Sequence, residues 1–249
     1  MQNPIILETF EEPEKKAHPW RRCTMGKHLV REYEAHIAPS KEHPDGTVAR
    51  WHEHCADNPS RKDELSFDEI QYISKTYFAS LSGPPTAGVL TKEFDDADKY
   101  DNEIRGWTQY WNDIFLPEDK LNPNLVKAII ATESSFRENP KEMKSAHGLM
   151  QIQDGTLHYL SDTKGELRNY LIRLNLSELL NPSANICAGI RWLFRKKETA
   201  SATLKRPASW YEAIEDYKGL LDKILHHKEY DHRIMEHLDK YYKLLESKS

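Results

Sequence analysis

No stretch of this chain approaches the roughly 18 consecutive apolar residues of a membrane-spanning helix. Positive charge is not in excess either. The 35 Lys and Arg residues stand against 40 Asp and Glu, giving a net charge of -5 and a pI near 6.2. A general nucleic-acid binder is usually basic, so that class is excluded. The same balance offers no long-range pull on an anionic polymer, and binding to one would rest on local contacts. The sequence has no internal repeat and no low-complexity tract. It also lacks a recognisable secretory signal: Met1 to Pro19 contains Pro4, Glu8, Glu11, Glu12 and Pro13, with only Ile5-Ile6-Leu7 as an apolar run. What is present is 30% charged and 10% aromatic residues, the composition of a folded globule rather than a disordered chain. At 249 residues the length allows one large domain or two small ones, and two are expected, divided at residues 1–98 and 99–249.

Cysteine is scarce, with three in the chain. Cys187 falls on the apolar face of a helical pattern and reads as a small buried hydrophobe. Cys23 and Cys55 bracket a segment dense in histidine: His28, His36, His43, His52 and His54. Thiolate and imidazole are ligands that zinc prefers, so Cys23, His28, His54 and Cys55 form one possible zinc set. Their spacing matches no standard finger, and adjacent His54 and Cys55 would point to opposite faces of a strand. A disulfide between Cys23 and Cys55, or two free thiols, are the alternatives. No metal is assigned, and no cofactor.

The same segment carries hairpin signals. Lys27 to Ile37 and Thr47 to Cys55 alternate partly between apolar and polar residues, with Pro44-Asp45-Gly46 as the turn between them. Ser66-Phe67-Asp68-Glu69 has the pattern of a capping box, predicting a helix to about Ser80, after which Gly83-Pro84-Pro85 acts as a breaker. Tyr100 to Phe115 places Ile104, Trp107, Trp111 and Ile114 or Phe115 on one stripe, predicting an amphipathic helix packed against the C-terminal half. The N-terminal unit is therefore expected to be small and α+β, with a hairpin near 27–55 and a helix near 68–80.

Beyond it the pattern is helical throughout. Asn185 to Lys197, Ala208 to Tyr217 and Glu229 to Leu245 carry apolar residues at three- and four-residue intervals, broken at Pro182, Pro207 and Gly219. In the last of these, Ile234, Leu238, Tyr241 and Leu245 are expected to face inward. The run from Leu121 to Ile130 sets Leu125, Ala128 and Ile129 at helical spacing, and Glu133 continues their stripe. A carboxyl there is partly desolvated, which disfavours its charged form and suits a general acid. The plainer reading of such a glutamate is a salt bridge at a helix end.

Four ordered blocks decide between those readings. Glu133-Ser134-Ser135-Phe136 is followed by Gly148-Leu149-Met150-Gln151-Ile152, then by Asn181-Pro182-Ser183-Ala184-Asn185-Ile186 running on through Gly189 to Leu193, then by Trp210 to Gly219. In this order the blocks resemble the soluble lytic transglycosylase (SLT) domain family, a lysozyme-like fold that cleaves peptidoglycan glycan strands. The resemblance covers about the C-terminal half, from near Leu121 onward. It implies a mainly α protein: a lysozyme-like helical catalytic domain behind the small α+β unit. Two departures stand out. The family's Tyr-Asn-Ala-Gly is here Tyr217-Lys218-Gly219, a cation in place of the asparagine. The serine-proline pair often found ahead of the Gly-Leu-Met-Gln turn is missing, and Glu142 lies near its place. Glu142 either approaches Glu133, where like-charge repulsion would favour proton retention on one of the two, or caps a solvated turn.

The resemblance further implies that Glu133 protonates the oxygen of the β-1,4 bond between N-acetylmuramic acid and N-acetylglucosamine. It then takes a proton from the muramic C6 hydroxyl as an anhydro ring closes. Gln151, Tyr217, Met150, Ser135 and Glu142 form the expected substrate contacts; the Gln151 amide, both donor and acceptor, suits acetamido sugars. Asp154, Asp162 and Asp216 are the other nearby acids, none with a motif argument for a nucleophile, so hydrolysis is the alternative outcome. A catalytically inactive wall- or partner-binding protein on the same scaffold is the alternative from another class. The implied partners are glycan strands and, for an exported antibacterial effector, an immunity protein or a secretion-machine component. A substrate in the periplasm or cell wall, set against the missing signal, leaves three routes: a leader already removed, signal-independent export as an effector, or release by lysis. The effector route is the expectation.

Overall fold

The structure is a computed structural model that describes residues 20–41, 44–140, 145–167 and 169–248. The first strands of the described residues form a two-stranded ribbon. Strands β1 (Lys27–Val30) and β4 (His54–Asp57) pair antiparallel, as do β2 (Tyr33–Ile37) and β3 (Thr47–Trp51), so the two ladders continue each other with a break at residues 31–32 and 52–53. This is the expected hairpin, with Gly46 at its turn (φ +76°). Cys23 and Cys55 are joined in a disulfide that ties the segment before β1 to β4 at the foot of the ribbon. A zinc site on these thiols is thereby ruled out, since both sulfurs are spent on each other. The two histidines of that set are also engaged elsewhere: His28 Nδ1 meets Asn58 Oδ1 at 2.9 Å, and His54 Nδ1 meets the His52 carbonyl at 2.9 Å.

Strand β5 (Asp63–Ser66) leads directly into α1 (Phe67–Tyr77). The Ser66–Glu69 capping box is formed reciprocally, side chain to backbone in both directions, which satisfies two donors that a helix start leaves orphaned. A 3-10 turn, Phe78–Ser80, completes the predicted helix to Ser80. Helix α2 (Asp101–Phe115) buries Ile104, Trp107 and Trp111, as its stripe predicts. Both indoles find acceptors in the interior: Trp107 Nε1 donates to Ser183 Oγ at 2.8 Å and Trp111 Nε1 to the Cys187 carbonyl at 3.0 Å.

Helix α3 (Pro123–Ser134) starts at an Asn122 cap with Pro123 in its first turn and ends in two consecutive left-handed residues, Ser135 (φ +52°) and Phe136 (φ +61°). A short ladder, β6 (Ala146–His147) against β7 (Ile152–Gln153), then frames the Gly-Leu-Met-Gln turn. Helix α4 (Asp154–Ser161), strand β8 (Tyr170–Arg173) and helix α5 (Leu176–Leu179) come next. The 23-residue α6 (Pro182–Leu204) is the central rod, against which α1, α2 and α7 (Trp210–Tyr217) pack. Helices α8 (Leu221–Leu225) and α9 (Arg233–Glu246) close the chain, and α9 lies on α3 with Leu238, Tyr241 and Leu245 buried. Ile234, the fourth residue expected inside, is half-buried.

The fold is mainly helical, as expected, but the C-terminal half is not helical throughout: it holds β6, β7 and β8. Strand β8 pairs in parallel with β5, Leu65 opposite Ile172. Both strands are only four residues long, Asp63-Glu64-Leu65-Ser66 with a single apolar residue and Tyr170-Leu171-Ile172-Arg173, so neither announces its partner in the sequence. The larger core runs from Trp20, Leu65, Ile70 and Ile73 through α2 and α3 to Leu238 and Leu245, continuous across residues 98 and 99, and Ala200, Ala208 and Leu221 form a small second cluster. Arg21 is sealed into it, pairing with Asp63 and Glu69 at 2.5 and 2.6 Å.

Candidate active site

Helix α3 delivers Glu133 in its last turn, one residue short of the left-handed reversal that ends the helix. Non-glycine residues in that region cost roughly 1–2 kcal/mol each. Phe136, 1% exposed and 5.5 Å ring to ring from Phe94, anchors the reversal in the core. The apolar face of α3 (Leu125, Ala128, Ile129) is buried, while the Glu133 side chain keeps 15% of its surface open. It lines a cleft of about 550 Å³ with Thr132, Gln151, Ile152, Trp192, Lys196, Asp216, Tyr217, Lys218 and Ile234. That volume lies within the usual range of ligand sites, ~300–1,000 Å³.

Opposite α3 stands the Gly148–Gln151 turn, and its shape is imposed by α6. A Cβ on Gly148, which has φ +72°, would lie 2.1 Å from Asn185 Nδ2. Asn185, fully buried, donates to the carbonyls of His147 (2.9 Å) and Leu179 (3.1 Å) and accepts from the Met150 N–H (2.8 Å). One amide therefore fastens three backbone groups around the turn. Gly189, one helical turn further along α6, makes room for Met150: a Cβ there would meet its Sδ at 2.3 Å. Gln151 sits at φ +50° and donates from Nε2 to the Gly148 carbonyl at 2.7 Å. Its Oε1 is buried and has no partner among the described residues, and Gln151 belongs to the wall of the cleft. A buried carbonyl without a donor costs about 1–3 kcal/mol, which a ligand N–H at this place would recover.

Tyr217 ends α7 and donates its hydroxyl to the Met150 carbonyl at 2.6 Å. Burial, reinforced by the negative charge of Glu133, pushes its hydroxyl well above the ordinary tyrosine range. Tyr217 is therefore a neutral donor that locks the turn to α7, not a proton carrier at neutral pH. Lys218, the next residue, turns its ammonium onto Glu133 in an ion pair and donates to Thr132 Oγ1 at 3.1 Å, with 6% of its side chain exposed. The remaining charged pair of the cleft is Lys196 with Asp216, 3.5 Å apart, and Asp216 also accepts from Thr199 Oγ1. Lys196 lies over the Trp192 ring at 5.3 Å, and Trp192 stacks on Tyr159 at 6.0 Å with planes 12° apart.

Of the residues singled out in the sequence, Glu133, Gln151 and Tyr217 share one groove. Met150 does not line it: the side chain is fully buried against Gly189, and only its backbone takes part. Ser135 is exposed on a neighbouring cavity of about 320 Å³, lined also by Phe94, Asp231, Arg233 and His237, which shares Thr132 and Ile234 with the main cleft. Glu142 lies outside the described residues. Asp154 is on the surface with His147, and Asp162 caps a turn at Lys164. Sequence reasoning gave no site role to Trp192 or Lys196, although Trp192 stands inside the third block, and it placed Ile234 in the core rather than at the site. It noted Lys218 only as a departure; a cation one residue from a motif tyrosine was the available signal.

Residues 116–232 match the family model of the transglycosylase SLT domain. No curated protein and no solved structure matches the chain.

Proposed function

We propose, from the premise that the C-terminal half of this chain carries a transglycosylase SLT domain, that the protein is a lytic transglycosylase acting on the β-1,4 bond between N-acetylmuramic acid and N-acetylglucosamine. The SLT match supports peptidoglycan cleavage as the general activity. The finer reading rests above all on one observation: Glu133 ends an apolar helix inside a cleft shared with the unsatisfied Gln151 carbonyl. In this mechanism the Glu133 carboxyl gives its proton to O4 as the C1–O4 bond breaks. The carboxylate then takes the proton of the C6 hydroxyl as O6 bonds to C1, and the acid is regenerated without water. Gln151 Oε1 accepts from an acetamido N–H, which positions the sugar. A neutral Tyr217 and a saturated Asn185 hold the turn that carries it.

The site of action we infer is the periplasm or cell wall. The Cys23–Cys55 disulfide supports this, because such bonds persist in oxidising compartments outside the cytosol. Among the described residues no helix is long and apolar enough to cross a membrane. Delivery as an antibacterial effector, with a cognate immunity protein that plugs the cleft, is part of the same proposal.

Purified protein incubated with sacculi tests the activity. Wild type releases muropeptides and Glu133→Gln does not, and mass spectrometry of the released ends separates an anhydro product from one heavier by a water. Hydrolysis would need a second carboxylate, and among the described residues Asp216 is the other acid lining the cleft. The Lys218 ion pair favours one further reading, a scaffold that binds glycan without cutting it, since a carboxyl held by an ammonium is not presented to the bond. Binding of sacculi without any release would establish that reading instead.

A further inference from the structure

The ion pair on Glu133 is the feature that catalysis by this site has to overcome. Among the described residues the Lys218 ammonium has two partners, Glu133 and Thr132, out of the three hydrogen bonds it can donate. The third N–H has no assigned acceptor, and Lys218 itself is part of the cleft wall. The ammonium sits on the carboxyl itself, so in this arrangement Glu133 is occupied by Lys218 and not presented to a glycosidic oxygen. Among the described residues that line the cleft, the other acid, Asp216, is already engaged by Thr199 and Lys196 and does not draw the ammonium off. A ligand anion would relieve Glu133.

The polysaccharide backbone expected here is neutral apart from the carboxylates attached to its muramoyl residues. These are the lactyl carboxylate where the stem peptide has been removed, or the stem-peptide carboxylates where it is present. We propose that Lys218 is a charge-reading lock: a carboxylate of the bound glycan takes over its ammonium, and only then is Glu133 free to act. Released, Glu133 takes a proton from solvent, passes it to O4 as C1–O4 breaks, and recovers one from the C6 hydroxyl as C1–O6 forms. The lysine ends as it began, still an ammonium. It acts on the reaction through Glu133 and through the choice of substrate, as a specificity-determining residue. The inference rests on the cleavage reading above.

Four substrates test it: intact sacculi, strands stripped of stem peptides, and each of these with carboxylates converted to methylamides. Wild type should cleave the untreated form of at least one pair about tenfold or more faster than its amidated counterpart, and the pair affected identifies which carboxylate opens the lock. Lys218→Asn should reduce that preference to about twofold or less, while Lys218→Arg, which keeps the cation, should retain it. A general loss of folding would lower all four rates together and leave the ratio unchanged, so the ratio is the readout. Equal wild-type rates on amidated and untreated substrate overturn the lock, as does a Lys218→Asn enzyme that keeps the full preference. Failure of wild type to cleave any untreated substrate overturns the cleavage reading itself, and the lock with it.

Discussion

Replacing Asn185 by alanine tests the claim that α6 builds the site. The native amide satisfies the His147 and Leu179 carbonyls and the Met150 N–H, all within 3.1 Å, and it is fully buried. Alanine leaves three backbone groups without that partner. At about 1–3 kcal/mol for each buried group left unsatisfied, the sum runs from ~3 to ~9 kcal/mol. Water entering the vacated space recovers part of it, so the expected loss is about 3–5 kcal/mol. For a chain of this size each kcal/mol moves Tm by roughly 2–4 °C, so calorimetry should record a fall on the order of 10 °C. The loss should also reach function. The turn carries Gln151 into the cleft, so release of muropeptides well below the new Tm should drop by about tenfold or more as the turn loosens. A Tm within about 2 °C of wild type, a change smaller than 1 kcal/mol would produce, refutes the fastening role.

Other expectations rest on single features. Glu133→Gln should abolish release of muropeptides, by a factor of at least ~10²–10⁴ for loss of a proton-transfer group, while its circular dichroism melt stays within a few degrees of wild type. Replacing both Cys23 and Cys55 by serine opens a loop of sequence separation 32. The chain-entropy relation puts its closure at about 3.7 kcal/mol, so limited proteolysis should cut the 27–57 ribbon far faster in the variant; equal cleavage rates would show that the ribbon is held by other contacts. Burial, opposed by Lys127, raises the Asp101 carboxyl to about 6. Between the ordinary aspartate value near 4 and about 6 the native state holds a proton that the unfolded chain has lost, so this group's contribution to stability declines as pH rises through that window and is level above it. The stability of wild type relative to Asp101→Asn should accordingly fall between about pH 4 and pH 7 in parallel melts, and an unchanging difference would contradict the assignment.

What could be read in advance divides by the range of the interaction. Features decided within a few residues were legible: the Ser66–Glu69 capping box, the Pro44-Asp45-Gly46 turn, the inward stripe of Ile104, Trp107 and Trp111, and the placing of Glu133 at the end of an apolar helix. Features decided by distant partners were not. Nothing in Asp63–Ser66 points to Tyr170–Arg173, because a four-residue strand in a parallel pair has no turn to betray its neighbour. The fate of Cys23 and Cys55 depended on a distance that sequence spacing does not supply, and three alternatives stood until the ribbon brought the sulfurs together. Lys218 was visible as an unexpected cation, yet its meeting with Glu133 needed the C-terminal end of α7 to arrive beside the last turn of α3. The same holds for Met150: a motif methionine facing sugar and one filling the space above Gly189 look alike until α6 is in place.

The parallel pairing of β5 with β8, and the packing of α2 and α9 on helices of the matched segment, carry a practical consequence. A piece cut to residues 116–232 would strip α6 of the indoles that bond to Ser183 and Cys187, strip α3 of its outer helix, and leave one strand with a bare hydrogen-bonding edge. Such an excised fragment would be prone to self-association, so biochemistry on this protein is best begun with the uncut polypeptide.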